Sequence, residues 1–328
     1  MPARAPRLRS TPMTDLVSLD AIRDAAARIR GVARVTPLVD VSLEAGRSLR
    51  LKCENLQPAG AFKMRGASHM IGRLDPDARA RGVITYSSGN HGQAVALAAQ
   101  RVGAPAVIVM PTTAPAIKVE GVKSYGAEVI FEGTTSTQRK ARAEALAAER
   151  GLTIVPPFDH PWIIAGQGTA GLEIVEQCPD VATVYVQIGG GGLISGVSAA
   201  IKRLRPSVRI VGVEPSGARK MGASIDAGEP VTLEKTGSIA DGLLPVRPGD
   251  LTFAHVRAFV DDLVTVEDTA IAEAVVWLFR KAKLVVEPSG AATVAAVLGT
   301  APRPGTTVAV LSGGNIAINA IAKLAETR

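Results

Sequence analysis

The sequence predicts an α/β protein built on parallel sheets with helices on both faces. Three observations predict it. Short apolar runs alternate with stretches that repeat apolar residues at helical spacing. Runs such as Ala106 to Met110 and Val181 to Ile188 are apolar throughout, the mark of strands buried on both faces. Four connections are loops of small residues, each at the end of an apolar run.

In chain order, Ser18-Leu19-Asp20 opens a helix with Ile22, Ala26, Ile29 and Val32 on one face. Leu49 to Cys53 reads as a strand, followed by a loop around Lys63 and a helix to about Leu74. From Gly82 strand and helix alternate. The strands are Val83 to Tyr86, Ala106 to Met110 and Glu128 to Phe131; the helices are Gly92 to Val102, Ala114 to Tyr125 and Thr137 to Arg150. Val181 to Ile188 is a strand that runs into four glycines. Arg209 to Val213, Leu284 to Val286 and Thr307 to Leu311 are further strands, with Thr269 to Ala282 a helix between them. Gly217 to Pro248 is rich in Gly and Pro and reads as a loop region over the site.

Composition narrows the function. The 328 residues suffice for one large or two modest domains, and 47% are hydrophobic, so a core can be buried. Aromatics are only 3%, so that core is built from Ala, Val, Leu and Ile. No apolar run approaches the roughly 20 residues of a membrane span. The net charge of +7 is scattered, with no basic block or recognition module, which argues against nucleic acid and favours an anionic cofactor and substrate. Cys53 and Cys178 lie far apart without metal-ligand neighbours and read as reduced thiols of a cytoplasmic enzyme. Met1 to Pro12 is basic and lacks an apolar segment, so a disordered extension is expected rather than a signal peptide; a transit peptide is the alternative. Met13-Thr14-Asp15 looks like a natural start.

The four small-residue loops are Ala61-Phe62-Lys63-Met64-Arg65-Gly66-Ala67, Ser87-Ser88-Gly89-Asn90-His91-Gly92, Gly189-Gly190-Gly191-Gly192-Leu193 and Ser312-Gly313-Gly314-Asn315. In the first, Phe62 helps desolvate the Lys63 amine, which favours the neutral nucleophile. In the second, backbone amides and the Ser88 hydroxyl can clamp a carboxylate. His91 is read as a structural residue that fixes the loop. The glycines let N–H groups converge on a phosphate at a helix N-terminus. A Rossmann-type turn would look similar, and Glu214 ends a strand about 20 residues on. That alternative leaves Lys63 and the Asn90 loop unexplained, and the G-x-G-x-x-G spacing is absent. Ser312 offers a hydroxyl to a ring nitrogen. One lysine, two anion cradles and one hydroxyl are the inventory that holds pyridoxal phosphate as a Schiff base.

The order and wording of these segments resemble the serine/threonine dehydratase and serine racemase branch of the fold-type-II pyridoxal-phosphate enzymes, from about Leu38 to about Ile321. The resemblance implies a tryptophan synthase β-like fold: two parallel-sheet α/β domains with the cofactor in the cleft between them. Residues 1–80 and 160–328 would form the large cofactor-binding domain and 81–159 the small substrate-binding one. It implies that Phe62, Lys63, Asn90, Gly189 to Leu193, Glu287 and Ser312 hold the cofactor, with Asn90 on the pyridine 3′ oxygen and Ser312 facing the ring nitrogen. Ser87, Ser88, Gly89, Asn90 and His91 would bind the substrate, and Lys63 and Ser88 would be catalytic. Glu214 and the Ala218 carbonyl match cation ligands of serine racemase, but the next acidic ligand is replaced by Lys220, whose ammonium could take the cation's place. A divalent or monovalent cation is therefore left open. Ala61 stands where the family often has Ser, and Phe158 where serine racemase has a polar residue. Asp241 lies in another shared segment, with no role assigned. The loops Pro58-Ala59 and Leu243 to Arg247 are expected to shape the specificity pocket. From the length beyond Asn315, the regulatory domain of biosynthetic threonine dehydratases is not expected. A homodimer without membrane or nucleic-acid partners is expected.

The reading is a threonine/serine dehydratase of isoleucine biosynthesis or threonine catabolism: an ammonia-lyase that turns a small β-hydroxy amino acid into a 2-keto acid and ammonia. Ser88 keeps serine racemase and 3-hydroxyaspartate ammonia-lyase open. More distant are a nicotinamide enzyme and an idle ligand-binding protein, against which intact Lys63 and Ser88 argue. Ser88→Ala separates the chemistries, because one lysine does not readily serve both faces of a substrate. Any racemisation is expected to vanish while elimination partly survives, measured by chiral chromatography beside keto-acid release. Racemisation at its original rate would reduce Ser88 to a loop residue.

Overall fold

The structure is a computed structural model and describes residues 16–43, 48–87, 89–114, 116–301 and 303–326. The readings of Met1 to Asp15 and of Ser88 lie outside the described residues. Among the described residues ten strands alternate with thirteen α-helices. The order begins α1 (Leu19–Arg28), β1 (Leu38–Ser42), β2 (Ser48–Lys52), α2 (Lys63–Gly72), α3 (Pro76–Arg81), β3 (Val83–Tyr86) and α4 (Asn90–Arg101). Next are β4 (Ala106–Met110), α5 (Ala116–Lys123), β5 (Glu128–Phe131), α6 (Ser136–Arg150), β6 (Thr153–Ile154) and α7 (Pro161–Gln177). Then come β7 (Val181–Gln187), α8 (Gly192–Leu204), β8 (Arg209–Pro215), α9 (Lys220–Ala227), α10 (Asp250–Phe259) and β9 (Asp262–Val266). The last are α11 (Asp268–Trp277), α12 (Pro288–Gly299), β10 (Thr306–Val310) and α13 (Ile318–Glu326).

The strands form two sheets, one in the order β1-β2-β10-β7-β8-β9 and one in the order β5-β4-β3-β6. The smaller is parallel throughout. The larger is parallel except for β1, which runs antiparallel to β2 at one edge. β1 has no continuous apolar run because its Asp40 pairs outward with Arg50 at 2.7 Å. Leu284 to Val286 is not a strand. It joins the wide last turn of the preceding helix, Leu278–Ala282, to α12, with Val285 exposed and its carbonyl accepting from the Asn55 side chain. The edge strand is β9 instead, whose acidic start hides it: Asp262 pairs with Arg209 across the edge. On α1 the buried face is Ile22, Ala25 and Ile29; Ala26 and Val32 are only partly covered.

Aliphatic side chains fill both faces of each sheet. The seam between α2 and α7 is closer than side chains permit. A Cβ on Gly166 would lie 2.6 Å from the Gly66 Cα, so two glycines face each other there.

Beside that seam lies a buried charge cluster. Arg65 Nε donates to Glu54 at 2.6 Å and Nη1 to Glu173 at 2.7 Å and Thr169 at 2.9 Å. Lys52 Nζ donates to Glu173 at 2.5 Å, to the Thr36 carbonyl at 2.8 Å and to Gln177 at 2.9 Å. Two cations thus meet two carboxylates. Burial alone would push the Glu54 carboxyl up, but Arg65, then Lys52 and Thr36, outweigh it and hold it below the usual range.

Glu173→Ala leaves two buried cations against one carboxylate. It is expected to cost about 3–5 kcal/mol, read by urea unfolding of the cofactor-free protein. Glu176→Ala, three residues on and exposed, is expected to be near neutral. Equal effects of the two would show that the cluster does not carry stability.

Candidate active site

Lys63 opens α2 immediately after a tight turn at Gly60. The turn is stitched to the loop that follows β10. Phe62 N–H donates to the Ser312 carbonyl at 2.9 Å and Gly314 N–H to Gly60 at 2.9 Å, while Ala61 bridges Gly313. The Lys63 amine donates to the Pro157 carbonyl at 2.5 Å and lies 5.2 Å from the Phe62 ring centre. No carboxylate among the described residues forms an ion pair with it. Burial pulls it down to about 8, so near neutral pH a useful fraction is the free amine.

The glycine loop joins β7 to α8. Gly191 is the N-cap, with φ of +101° and no side-chain cap. The first-turn N–H groups of α8 have no intrahelical partner and sit at the positive end of its dipole. A Cβ on Gly190 would overlap the Phe158 ring, and one on Gly191 would lie 2.8 Å from the Thr252 hydroxyl. Leu193, the second helical residue, is buried. An uncapped, bare-backbone helix start fits a phosphate, and the nearby amine fits an aldehyde. The residues present therefore fit pyridoxal phosphate.

Asn90 opens α4 and is held from both ends. Its Nδ2 donates to Glu287 Oε1 at 2.5 Å, and its Oδ1 accepts from Asn315 at 2.9 Å. Asn315 also donates to the Ala59 carbonyl at 2.8 Å, beside the Lys63 turn. Glu287 N–H donates to the Gly313 carbonyl at 3.1 Å. Burial, reinforced by Asp241, pushes the Glu287 carboxyl up to about 8 against Asn90 and Lys118. In the Ser87 loop, the Ser87 hydroxyl accepts from Gly89 N–H at 3.2 Å. His91 is buried with Nε2 bonded to the Val155 carbonyl at 3.0 Å. Burial, then Lys63, pulls it down to about 3, so it is neutral and braces the loop. Ser312 is buried at the end of β10.

The structure thus brings Lys63, Asn90, Glu287 and Ser312 to one place and sets the glycine loop beside them through Phe158. Sequence reasoning passed over two members. Asn315, the last residue of the Ser312 segment, carries no role in the sequence motif, although it ties two of the loops together. Lys118 carried no signal: it pairs with Asp241 at 2.5 Å across 123 residues of sequence.

Glu214 and Ala218 stand apart from this group with Lys220. The Glu214 carboxylate accepts from Met221 N–H at 2.9 Å and Gly222 N–H at 2.8 Å. Lys220 Nζ lies 3.0 Å from the same carboxylate and donates to the Ala218 carbonyl at 3.0 Å. Burial pulls the Lys220 amine down and Glu214 pushes back. With the one carboxylate already shared, these residues do not fit a divalent cation. Among the described residues no three His, Cys, Asp or Glu side chains converge as a metal cluster.

Comparison with known proteins agrees with this geometry. The family profile "Pyridoxal-phosphate dependent enzyme" matches residues 29–313. An L-threonine ammonia-lyase of Thermotoga maritima is 44% identical over 313 residues, covering 94% of this chain and 78% of the relative. A serine racemase of Oryza sativa subsp. indica is 46% identical over 283 residues, covering 85% and 83%. The structure of maize serine racemase superposes with a TM-score of 0.90 at 42% identity, covering 95% of this chain and 97% of that one.

Two titrations test the site. The cofactor-free protein is expected to capture pyridoxal phosphate faster as pH rises through about 8, because only the neutral amine attacks. Stopped-flow absorbance of the covalent linkage checks this, and Lys63→Ala should give none. Glu287 is raised from 4.5 to about 8, so the folded state holds its proton longer than the unfolded one. Its share of stability is full below the lower value and falls as pH rises through the higher. The Tm of cofactor-free Glu287→Gln is therefore expected to gain on the unmodified protein over that window. A constant difference would overturn the Glu287 assignment.

Proposed function

The chain belongs to the pyridoxal-phosphate dependent enzymes, and from that premise we propose that it is an ammonia-lyase for L-threonine or L-serine. The reading is carried by one observation: a lysine amine with a single carbonyl partner, lowered by burial, beside an uncapped glycine helix start. The threonine ammonia-lyase relative, matched over 94% of this chain, supports the choice of reaction.

Pyridoxal phosphate, when bound, supplies an aldehyde for an amine and a ring that acidifies the neighbouring C–H. Lys63 would hold it, and its Nζ, as a free amine, would take the α-proton of the substrate. The amides of Gly189 to Leu193 would bind its anionic end. Asn90, fixed by Glu287 and Asn315, would hold the ring, toward which Ser312 would offer a neutral hydroxyl rather than a carboxylate. The Ser87–His91 loop, braced by His91 on Val155, orients the substrate carboxylate. Elimination breaks the Cα–H and Cβ–O bonds, forms the Cα=Cβ bond and, with one proton returned to the leaving hydroxyl, expels water; hydrolysis of the released enamine gives a 2-keto acid and ammonia. In the same proposal, residues 81–159 form the substrate-binding domain and the chain works as a cytoplasmic homodimer.

A second reading, serine racemase, is favoured by Ser88 and by the rice relative. One assay separates the two: keto-acid release from L-threonine, L- and D-serine and the 3-hydroxyaspartates, with chiral analysis of the remainder. Keto acid from L-threonine and L-serine is expected, and Lys63→Ala should lower turnover by at least about 100-fold. Enantiomer exchange outpacing keto-acid release would transfer the assignment to racemase. Absence of keto acid from every substrate would sink the lyase reading.

A further inference from the structure

Lys220 is fully buried, and its ammonium is ringed by oxygen. It donates to the carbonyls of Ile188 at 2.7 Å, Ala218 at 3.0 Å and Leu243 at 3.1 Å. Glu214 Oε1 lies at 3.0 Å. Three N–H donors meet three carbonyls, and one positive charge meets one negative. Glu214 cannot turn toward another ion without releasing the Met221 and Gly222 amides that start α9.

The oxygens come from segments that surround the glycine loop. Ile188 directly precedes Gly189. Leu243 follows Gly242, whose carbonyl lies 2.8 Å from where a Cβ of Gly189 would sit. Ala218 leads into α9, and Glu214 belongs to β8, the neighbour of β7. Together the carbonyls of Ile188, Ala218 and Leu243 and the Glu214 carboxylate form a cage with a radius of 2.7 to 3.1 Å. That radius is longer than the roughly 2.0–2.6 Å of magnesium or calcium to oxygen. It suits a large monovalent ion or an ammonium.

We propose that Lys220 is a built-in cation: its ammonium permanently fills an oxygen cage that would otherwise take a monovalent ion, and through Ile188 and Leu243 it positions the glycine loop. A tethered cation does not dissociate, so the loop keeps its shape whatever ions are in solution. The inference rests on the contacts of Lys220 and not on which substrate the enzyme turns over.

The test reads stability and cofactor absorbance rather than turnover. Unmodified holoenzyme moved from potassium or magnesium buffer into tetramethylammonium chloride with chelator should shift in Tm by less than about 1 °C and keep its cofactor absorbance. Lys220→Ala empties the cage. In tetramethylammonium chloride its Tm should fall by about 5 °C or more, and potassium or ammonium chloride should restore at least half of the loss. Lys220→Met, which fills the space without charge, should lose as much and gain nothing from either salt. A reversible loss of Tm or cofactor from the unmodified protein without small cations would overturn the proposal. So would a folded Lys220→Ala indifferent to every salt, or equal rescue of Lys220→Met. If Lys220→Ala is insoluble in all buffers, the exchange on unmodified protein and Lys220→Met decide.

Discussion

Arg65, two residues beyond the lysine of the site, spends its guanidinium on Glu54, Glu173 and Thr169 in a place water does not reach. Lys52 completes the cluster through Glu173. Ion pairs this deep contribute little net stability, because desolvation cancels much of the attraction. Their force is directional. Turning α2 by one residue would carry Arg65 off both carboxylates and leave several buried charges uncompensated. The cluster therefore fixes the rotation of α2 about its axis, and with it the direction in which Lys63 leaves the helix.

The second constraint is closeness. Gly66 and Gly166 let α2 and α7 meet backbone to backbone, so the helix that carries Lys63 is held in position as well as in rotation. Around it the loops arrive from the carboxyl ends of β3, β7 and β10, where a parallel sheet leaves N–H groups and helix starts pointing outward. The Ser312 loop pairs with the Lys63 turn through the backbone, and Asn315 carries that contact on to Asn90. A displacement of one loop is thus transmitted to the others through hydrogen bonds that any shift would break.

Charge in the cleft is arranged in one sense. Lys63 is drawn down, His91 is drawn down further, and Glu287 is drawn up. Burial is the largest cause each time, and each shift favours the uncharged form. The strong positive feature left facing the glycine loop is the uncapped start of α8, which suits an anionic ligand. Lys220 is the contrast: equally buried, it meets three carbonyls and a carboxylate that it shares with the Met221 and Gly222 amides, and its role is to hold backbone in place.

The sequence by itself determined the α/β class, most strands of both sheets and the four small-residue loops. These have local causes: a strand buried on both faces must be apolar throughout, and a loop that brings bare N–H groups to an anion must lack side chains. Where the cause is not local the reading failed or stayed silent. Leu284 to Val286 has strand composition but pairs with nothing in a sheet, while β9 pairs along the edge behind an acidic start. Only the tertiary structure joined Asn90 to Glu287 across 197 residues, Arg65 to Glu173 across 108, Lys118 to Asp241 across 123 and Lys220 to Ile188 across 32. A polar contact leaves no periodic trace in the chain, since its energy depends on a partner whose distance in sequence the fold alone sets.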